Sequence, residues 1–116
     1  MEFRITVTEE ADSQLKALPV RQQRIIESAV AARLRYQPML LSNAIKRLRT
    51  NPLVEFELRV GDLRVLYNVE LEAREVVLLV VGRKVGNKLI VGGEEFHGHR
   101  NDPSQPTPDE STRPSE

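Results

Sequence analysis

The chain has 116 residues, 40% of them apolar and 29% charged, a composition that suits one ordinary globular domain. No apolar run approaches the length of about 20 residues that a membrane span needs, and the start lacks the basic and apolar regions of a signal peptide. Absence of cysteine excludes disulfides, thiol nucleophiles and thiolate metal sites and fits a cytoplasmic protein, while a formal net charge of zero means that any anion site must arise from local clustering.

Glu2 to Val7 alternates, with Phe3, Ile5 and Val7 on one face, which predicts a strand. Thr8 can cap a helix whose first turn holds Glu9 and Glu10, favourable at the positive end of the helix dipole. Ala11, Leu15 and Leu18 keep helical spacing until Pro19 interrupts it. A second helix is expected from about Val20 to Tyr36, on the stripe Ile25, Ile26, Ala29, Val30 and Leu34, with Pro38 as its stop. Residues 39–53 read as a connection with a basic centre at Lys46, Arg47 and Arg49.

After Pro52, Val54, Phe56, Leu58 and Val60 alternate with Glu55, Glu57 and Arg59. Gly61-Asp62 is a two-residue turn signal of the type II′ kind, and Leu63 to Val69 alternates again. Val76 to Val81 is apolar without interruption, the pattern of a strand covered on both faces, so it belongs at the sheet centre, with Gly82 as its end. Leu89 to Val91 is a short fourth strand, and Gly92-Gly93 closes the domain. The order predicts an α+β fold of two layers: an N-terminal strand, a two-helix hairpin, then an antiparallel meander of three to four strands. Residues 1–98 form the expected domain. Residues 99–116 carry a net charge of −2, and from Asn101 onward they hold four prolines and no large apolar side chain, so the tail is expected to be disordered.

Several residue groups can carry chemistry. A two-residue turn at Gly61-Asp62 sets Arg59 directly opposite Arg64, and like charges in that arrangement destabilise by roughly 0.2–1 kcal/mol. Either an anion is held between them, or the side chains splay into water, toward Glu57 or Asp62. The run Gly82 to Lys88 contains Arg83, Lys84 and Lys88 with two glycines and no acid. It can approach a phosphate through backbone N–H groups, or be a solvated basic turn. Lys46, Arg47 and Arg49 are a second basic cluster with the same two readings. Glu55 and Glu57 share a strand face about 7 Å apart and can do acid–base work, though glutamates also populate solvated faces. His97 and His99 lack a third ligand nearby in sequence, so no metal site is expected.

The stretch from Asn51 to Tyr67, with Leu58-Arg59, a short Gly-containing turn, Arg64 and then Leu66-Tyr67, resembles the core hairpin of RelE/ParE-type toxins. Val80-Val81-Gly82-Arg83-Lys84 resembles the valine-rich strand that ends in Gly and two basic residues in those proteins. The resemblance covers about residues 2–97. It implies a toxin of a type II toxin–antitoxin system, neutralised by a small, acidic, partly disordered antitoxin, with operator DNA reached only through that antitoxin. In the RelE branch it implies metal-free, cofactor-free cleavage of messenger RNA on the ribosome, and thereby inhibition of translation. In the ParE branch it implies inhibition of DNA gyrase without a nuclease; a degenerate toxin that only binds its antitoxin is a third reading. Carried over residue by residue, it gives Arg64 and Lys84 phosphate-stabilising roles and Arg59 a basic hairpin position. Lys46, Arg47, Arg49, Arg83 and Lys88 would hold flanking phosphates. Two departures stand out. Glu55 and Glu57 replace the lysines expected before the hairpin arginine, so that Glu57 or Glu55 would be the general base. The tyrosine expected after the basic pair falls at Ile90.

Overall fold

A computed structural model of the chain describes residues 1–49 and 53–95. The tail from residue 99, the pair His97 and His99, and the Asn51-Pro52 start of the hairpin motif lie outside the described residues.

Strand β1 (Arg4–Val7) leads into helix α1 (Glu9–Lys16). The Thr8 hydroxyl accepts the Ala11 N–H at 3.2 Å, the cap expected for that residue, and Glu9, Glu10 and Asp12 occupy the first turn. Helix α2 (Val20–Ala29) begins after Pro19. It does not continue as an α-helix to Tyr36. Val30–Leu34 is π-helical, and the buried side chains Ile26, Val30 and Leu34 sit at strict intervals of four. In an α-helix, four residues overshoot a full turn by about 40°. The wider π turn takes up that overshoot and returns Leu34 to the core side, where it is fully buried.

Among the described residues the sheet holds seven strands. They are β1, β2 (Ile45–Arg47), β3 (Phe56–Val60), β4 (Leu63–Glu70), β5 (Glu75–Val85), β6 (Lys88–Val91) and β7 (Glu94–Glu95). Spatial order runs β2-β3-β4-β5-β6-β7, with β1 parallel to β5. The apolar run is central, as its composition requires. β4 takes one edge of β5 along most of its length, while β1 pairs with Glu75 to Leu78 and β6 with Arg83 to Val85 on the other. Between them the Val81 N–H donates to the Gln14 side chain of α1 at 2.9 Å.

Three expectations are corrected here. The connection 39–53 contains β2, an edge strand too short and too basic to show alternation. Gly82 does not end the central strand. A Cβ there would lie 2.5 Å from the Ile90 carbonyl oxygen, so glycine is what lets β6 cross so closely, and the basic run 83–88 is a strand end, a tight turn and a strand start. Gly92-Gly93 joins β6 to β7 instead of closing the domain.

The helices cover one face. There Phe56 stacks on Tyr67 with ring centroids 5.4 Å apart, over Leu58, Val65, Val76 and Val81, against Leu15, Ile26, Val30 and Leu34. The Tyr67 hydroxyl donates to the Pro38 carbonyl oxygen at 2.5 Å, tying the chain after the helices to the sheet. The other face carries a smaller cluster, Val54, Leu66, Val80 and Leu89, joined by Leu48, Leu79 and Val91. A β-bulge makes both layers possible: Leu66 pairs with Val80 but Tyr67 with Leu78, so Leu79 is the extra residue. Leu78 and Val81 thus both face the helices. Among the described residues, no helix is long and apolar enough to cross a membrane.

Candidate functional site

The β3–β4 hairpin has the register expected from its turn. Val60 pairs with Leu63 and Arg59 with Arg64, and Gly61 adopts φ +60°, the first position of a type II′ turn. Because Leu63, Val65 and Tyr67 point to the helices, Arg64 and Leu66 point to the open face, together with Arg59 and Glu57. Lys46 lies across from Glu57 on β2 and so shares that face. On β5, Gly82 lies opposite Arg64, and Lys84, two residues on, projects the same way as its partner Leu89. Five candidate side chains from four strands, Lys46, Glu57, Arg59, Arg64 and Lys84, therefore meet on the face that the helices leave open.

The tension between the two arginines is resolved by Glu57. Its Oε1 accepts from Arg59 Nε at 2.9 Å, and its Oε2 lies 3.9 Å from Arg64 Nε. The carboxylate is nearly buried, with 11% of its side chain exposed. Arg64 is also enclosed; its Nη1 donates to the Gly61 and Leu63 carbonyl oxygens, each at 2.8 Å. Its Nε is buried without a hydrogen bond, a donor with spare capacity beside an exposed cation. Lys84 is half-buried and, among the described residues, forms no ion pair. It lines a small pocket of about 60 Å³ with Glu57, Leu48, Leu66, Asn87 and Leu89.

Other candidates are drawn elsewhere. Arg47 pairs with Phe56 and lies on the helix side, with its guanidinium 5.4 Å from the Phe56 ring centroid. Arg83, opposite Leu63 and Ile90, also points to the helix side, where it lines a cavity beside Gln14 and Gln22. Lys88 lies 3.9 Å from Glu95. Arg49 is exposed in the bend after β2. The expected pairing of Glu55 with Glu57 does not form: Glu55 precedes β3, and its carboxylate accepts the Val69 N–H at 3.0 Å. Ile90 pairs with Arg83 and faces the helix side, while its neighbours Leu89 and Val91 belong to the open-face cluster. Tyr67 offers no substitute for the missing tyrosine, since it is fully buried and burial pushes its hydroxyl well above the ordinary phenol range. Sequence reasoning missed Asn87, whose only signal was its place between two lysines in a turn. Among the described residues no group of three or more His, Cys, Asp or Glu side chains is assembled.

No family model and no curated protein matches the chain. Solved structures do. The toxin–antitoxin complex RelBE2 from Mycobacterium tuberculosis superposes with a TM-score of 0.63 at 27% identity, over 72% of this chain and 100% of that one. The archaeal RelE–RelB complex from Pyrococcus horikoshii OT3 gives 0.59 at 21% identity, over 72% of this chain and 96% of that one. A double arginine-to-alanine mutant of E. coli toxin RelE in the free state gives 0.58 at 21% identity, over 72% and 84%. The hairpin sequence, the strand–helix–helix–meander topology and these likenesses agree: in fold and in hairpin sequence the chain is similar to the RelE toxins of toxin–antitoxin systems.

Proposed function

We propose that the chain is the toxin of a toxin–antitoxin pair and a metal-independent endoribonuclease acting on messenger RNA in the cytoplasm, on the ribosome. The observation that carries this reading is the convergence of Arg59, Arg64, Lys84 and Glu57 on one open sheet face, in a hairpin register that makes cation crowding unavoidable.

In the proposed reaction the RNA 2′-hydroxyl faces Glu57, which takes its proton as the 2′-oxygen attacks the adjacent phosphorus. Arg64 and Lys84 face the non-bridging oxygens, where charge builds in the transition state. The P–O5′ bond breaks, and the 5′-oxygen takes a proton from the Lys84 ammonium or from water. The products are a 2′,3′-cyclic phosphate and a 5′-hydroxyl. Lys46 and Arg59 hold phosphates flanking the site, and Arg49 and Lys88 extend the basic surface at the bend after β2 and the start of β6, while Arg47 and Arg83 lie on the helix side and take no part.

The partner is an acidic antitoxin whose segment orders on binding; two of the solved structures that the fold matches are toxin–antitoxin complexes. The toxin domain is residues 1–98, and operator DNA is reached only through the antitoxin. The observation favouring a second reading, a toxin that inhibits gyrase without cleaving RNA, is that Ile90 replaces the expected tyrosine and faces away from Glu57.

Induced expression with primer extension on host messages tests the proposal. Discrete 5′-hydroxyl ends within minutes support it. Growth arrest with intact messages and altered plasmid supercoiling favours the gyrase reading.

A further inference from the structure

The pocket beside Glu57 differs in chemistry from the arginine side of the same face. Its floor is aliphatic, from Leu48, Leu66 and Leu89, and Glu57, Lys84 and Asn87 stand round it. Its volume of about 60 Å³ holds several waters, enough for the edge of a flat heterocycle and too little for a whole nucleotide. Neither Arg59 nor Arg64 lines it, and the Glu57 carboxylate on its wall offsets the charge of Lys84. An apolar floor with a few convergent polar groups is the makeup of a site for a neutral, planar, polar-edged ligand.

Asn87 is the polar group of this pocket that the proposed chemistry does not use. It sits at the second position of the turn between β5 and β6. The turn does not need an asparagine there for its backbone, since Gly86 carries the positive φ and Asn87 does not. Its carboxamide makes no hydrogen bond among the described residues. It thus presents one acceptor and two donors to the pocket mouth, the combination that pairs with a base edge.

We propose that this pocket receives the edge of a nucleobase, and that Asn87 is the residue that discriminates among bases at the cleaved position. The identity of the ligand as RNA rests on the ribonuclease reading. In this arrangement Leu66 and Leu89 cover one side of the base, the attached ribose places its 2′-hydroxyl toward Glu57, and the adjoining phosphate falls toward Arg64 and Lys84. Base preference is then set at the turn, and reaction rate on the neighbouring strands.

Four 2′-O-methyl trinucleotides that differ only in the central base test this, because they bind without being cleaved. Full-length protein is titrated with each while the Asn87 side-chain amide is followed by NMR. The expected result is a spread of roughly fivefold or more in affinity between best and worst base, the size of one good hydrogen bond, with the Asn87 amide resonances moving on saturation. Asn87→Ser, compatible with the turn, should make the four affinities equal at unchanged melting temperature. A purely structural Asn87 would shift the melting temperature and leave the ranking intact. Equal affinities in the parent protein, a ranking retained in Asn87→Ser, or no binding at millimolar concentration would each overturn the proposal. Failure of the ribonuclease reading looks different: a base ranking that depends on Asn87, with no cleaved message in a translating extract.

Discussion

Glu57 is the carboxylate on which the two hairpin arginines converge. A carboxylate with little exposure between two arginines is structurally required, because without it the pair Arg59 and Arg64 face each other uncompensated across the strands. Replacing it with glutamine keeps an acceptor for Arg59 but removes the charge. Glu57→Gln is therefore expected to cost on the order of 1–3 kcal/mol while remaining folded, and to abolish RNA cleavage. Urea melts and single-turnover assays measure the two effects separately, and cleavage that survives the change would remove Glu57 as the base. Arg64→Ala is expected to lower the cleavage rate about 100- to 1000-fold, the worth of one preorganised donor at a developing charge. It also deletes the bonds to the Gly61 and Leu63 carbonyls, so a moderate loss of stability accompanies it. Arg64→Lys should recover little activity, because a point charge cannot form the same fork on phosphate. Full toxicity in Arg64→Ala would contradict the assignment of this arginine to the phosphate.

Elements hold the site through two contacts that make separate predictions. β6 crosses β5 at Gly82, where a methyl group would meet the Ile90 carbonyl oxygen at 2.5 Å and a Val91 methyl at 2.8 Å. The first of these is backbone and cannot rotate away. Gly82→Ala is expected to cost roughly 1–3 kcal/mol through overpacking and to displace β6, with chemical-shift changes spreading from Leu89 to Val91; an unperturbed β6 would refute the close-approach argument. The second contact is Tyr67 to Pro38, which fastens the chain after the helices to β4. Tyr67→Phe leaves a carbonyl without its donor, a cost of about 1–3 kcal/mol if it stays buried. The hydroxyl also sets a pH dependence. Burial raises its folded pKa above the unfolded value of 10.0, so the unfolded chain releases the proton first. The contribution is complete below about pH 10 and declines as pH rises through and beyond it, by at most about 1.4 kcal/mol per pH unit. Subtracting the Tyr67→Phe stability curve from that of the parent isolates this slope, and a flat difference above pH 10 would contradict the burial assignment.

At the scale of the whole molecule, a net charge of zero conceals an uneven surface. Lys46, Arg59, Arg64 and Lys84 lie on the open face, and Arg21 and Arg24 of α2, with Arg33 of the π-helical turn, line a groove beside Val60. Acidic side chains lie elsewhere, with Glu9, Glu10 and Asp12 in the first turn of α1 and Glu70, Glu72 and Glu75 around the turn from β4 to β5. An acidic antitoxin segment should therefore bind with strong salt dependence, its dissociation constant rising roughly tenfold or more between 50 and 500 mM salt as exposed charges are screened. Calorimetric titration across that range checks this, and a constant affinity would place the binding energy in apolar contacts such as those around Val20, Ile25 and Val60.

By itself the sequence determined the elements whose signals are local. Period-two alternation marked β1, β3 and β4, the Gly61-Asp62 turn set the register of β3 against β4, and that register alone placed Arg59 opposite Arg64. The uninterrupted apolar run from Val76 to Val81 marked the central strand, and the hairpin text carried the family resemblance. Tertiary structure decided the rest, because the rest depends on partners distant in the chain. β2 is a strand only because β3 offers it an edge, and three residues hold no period. The bulge at Leu79 is invisible within a uniformly apolar run, yet it sets which of those side chains meet the helices and which the open face. Lys46, Lys84 and Glu57 share the open face, and Arg47 and Arg83 turn from it, by the parity of strands that alternation in a single segment cannot align with one another. Glu57 differs from Glu55 in burial for the same reason: one lies within the ladder between two arginines, and the other stands just before it, bonded to a backbone N–H of the neighbouring strand.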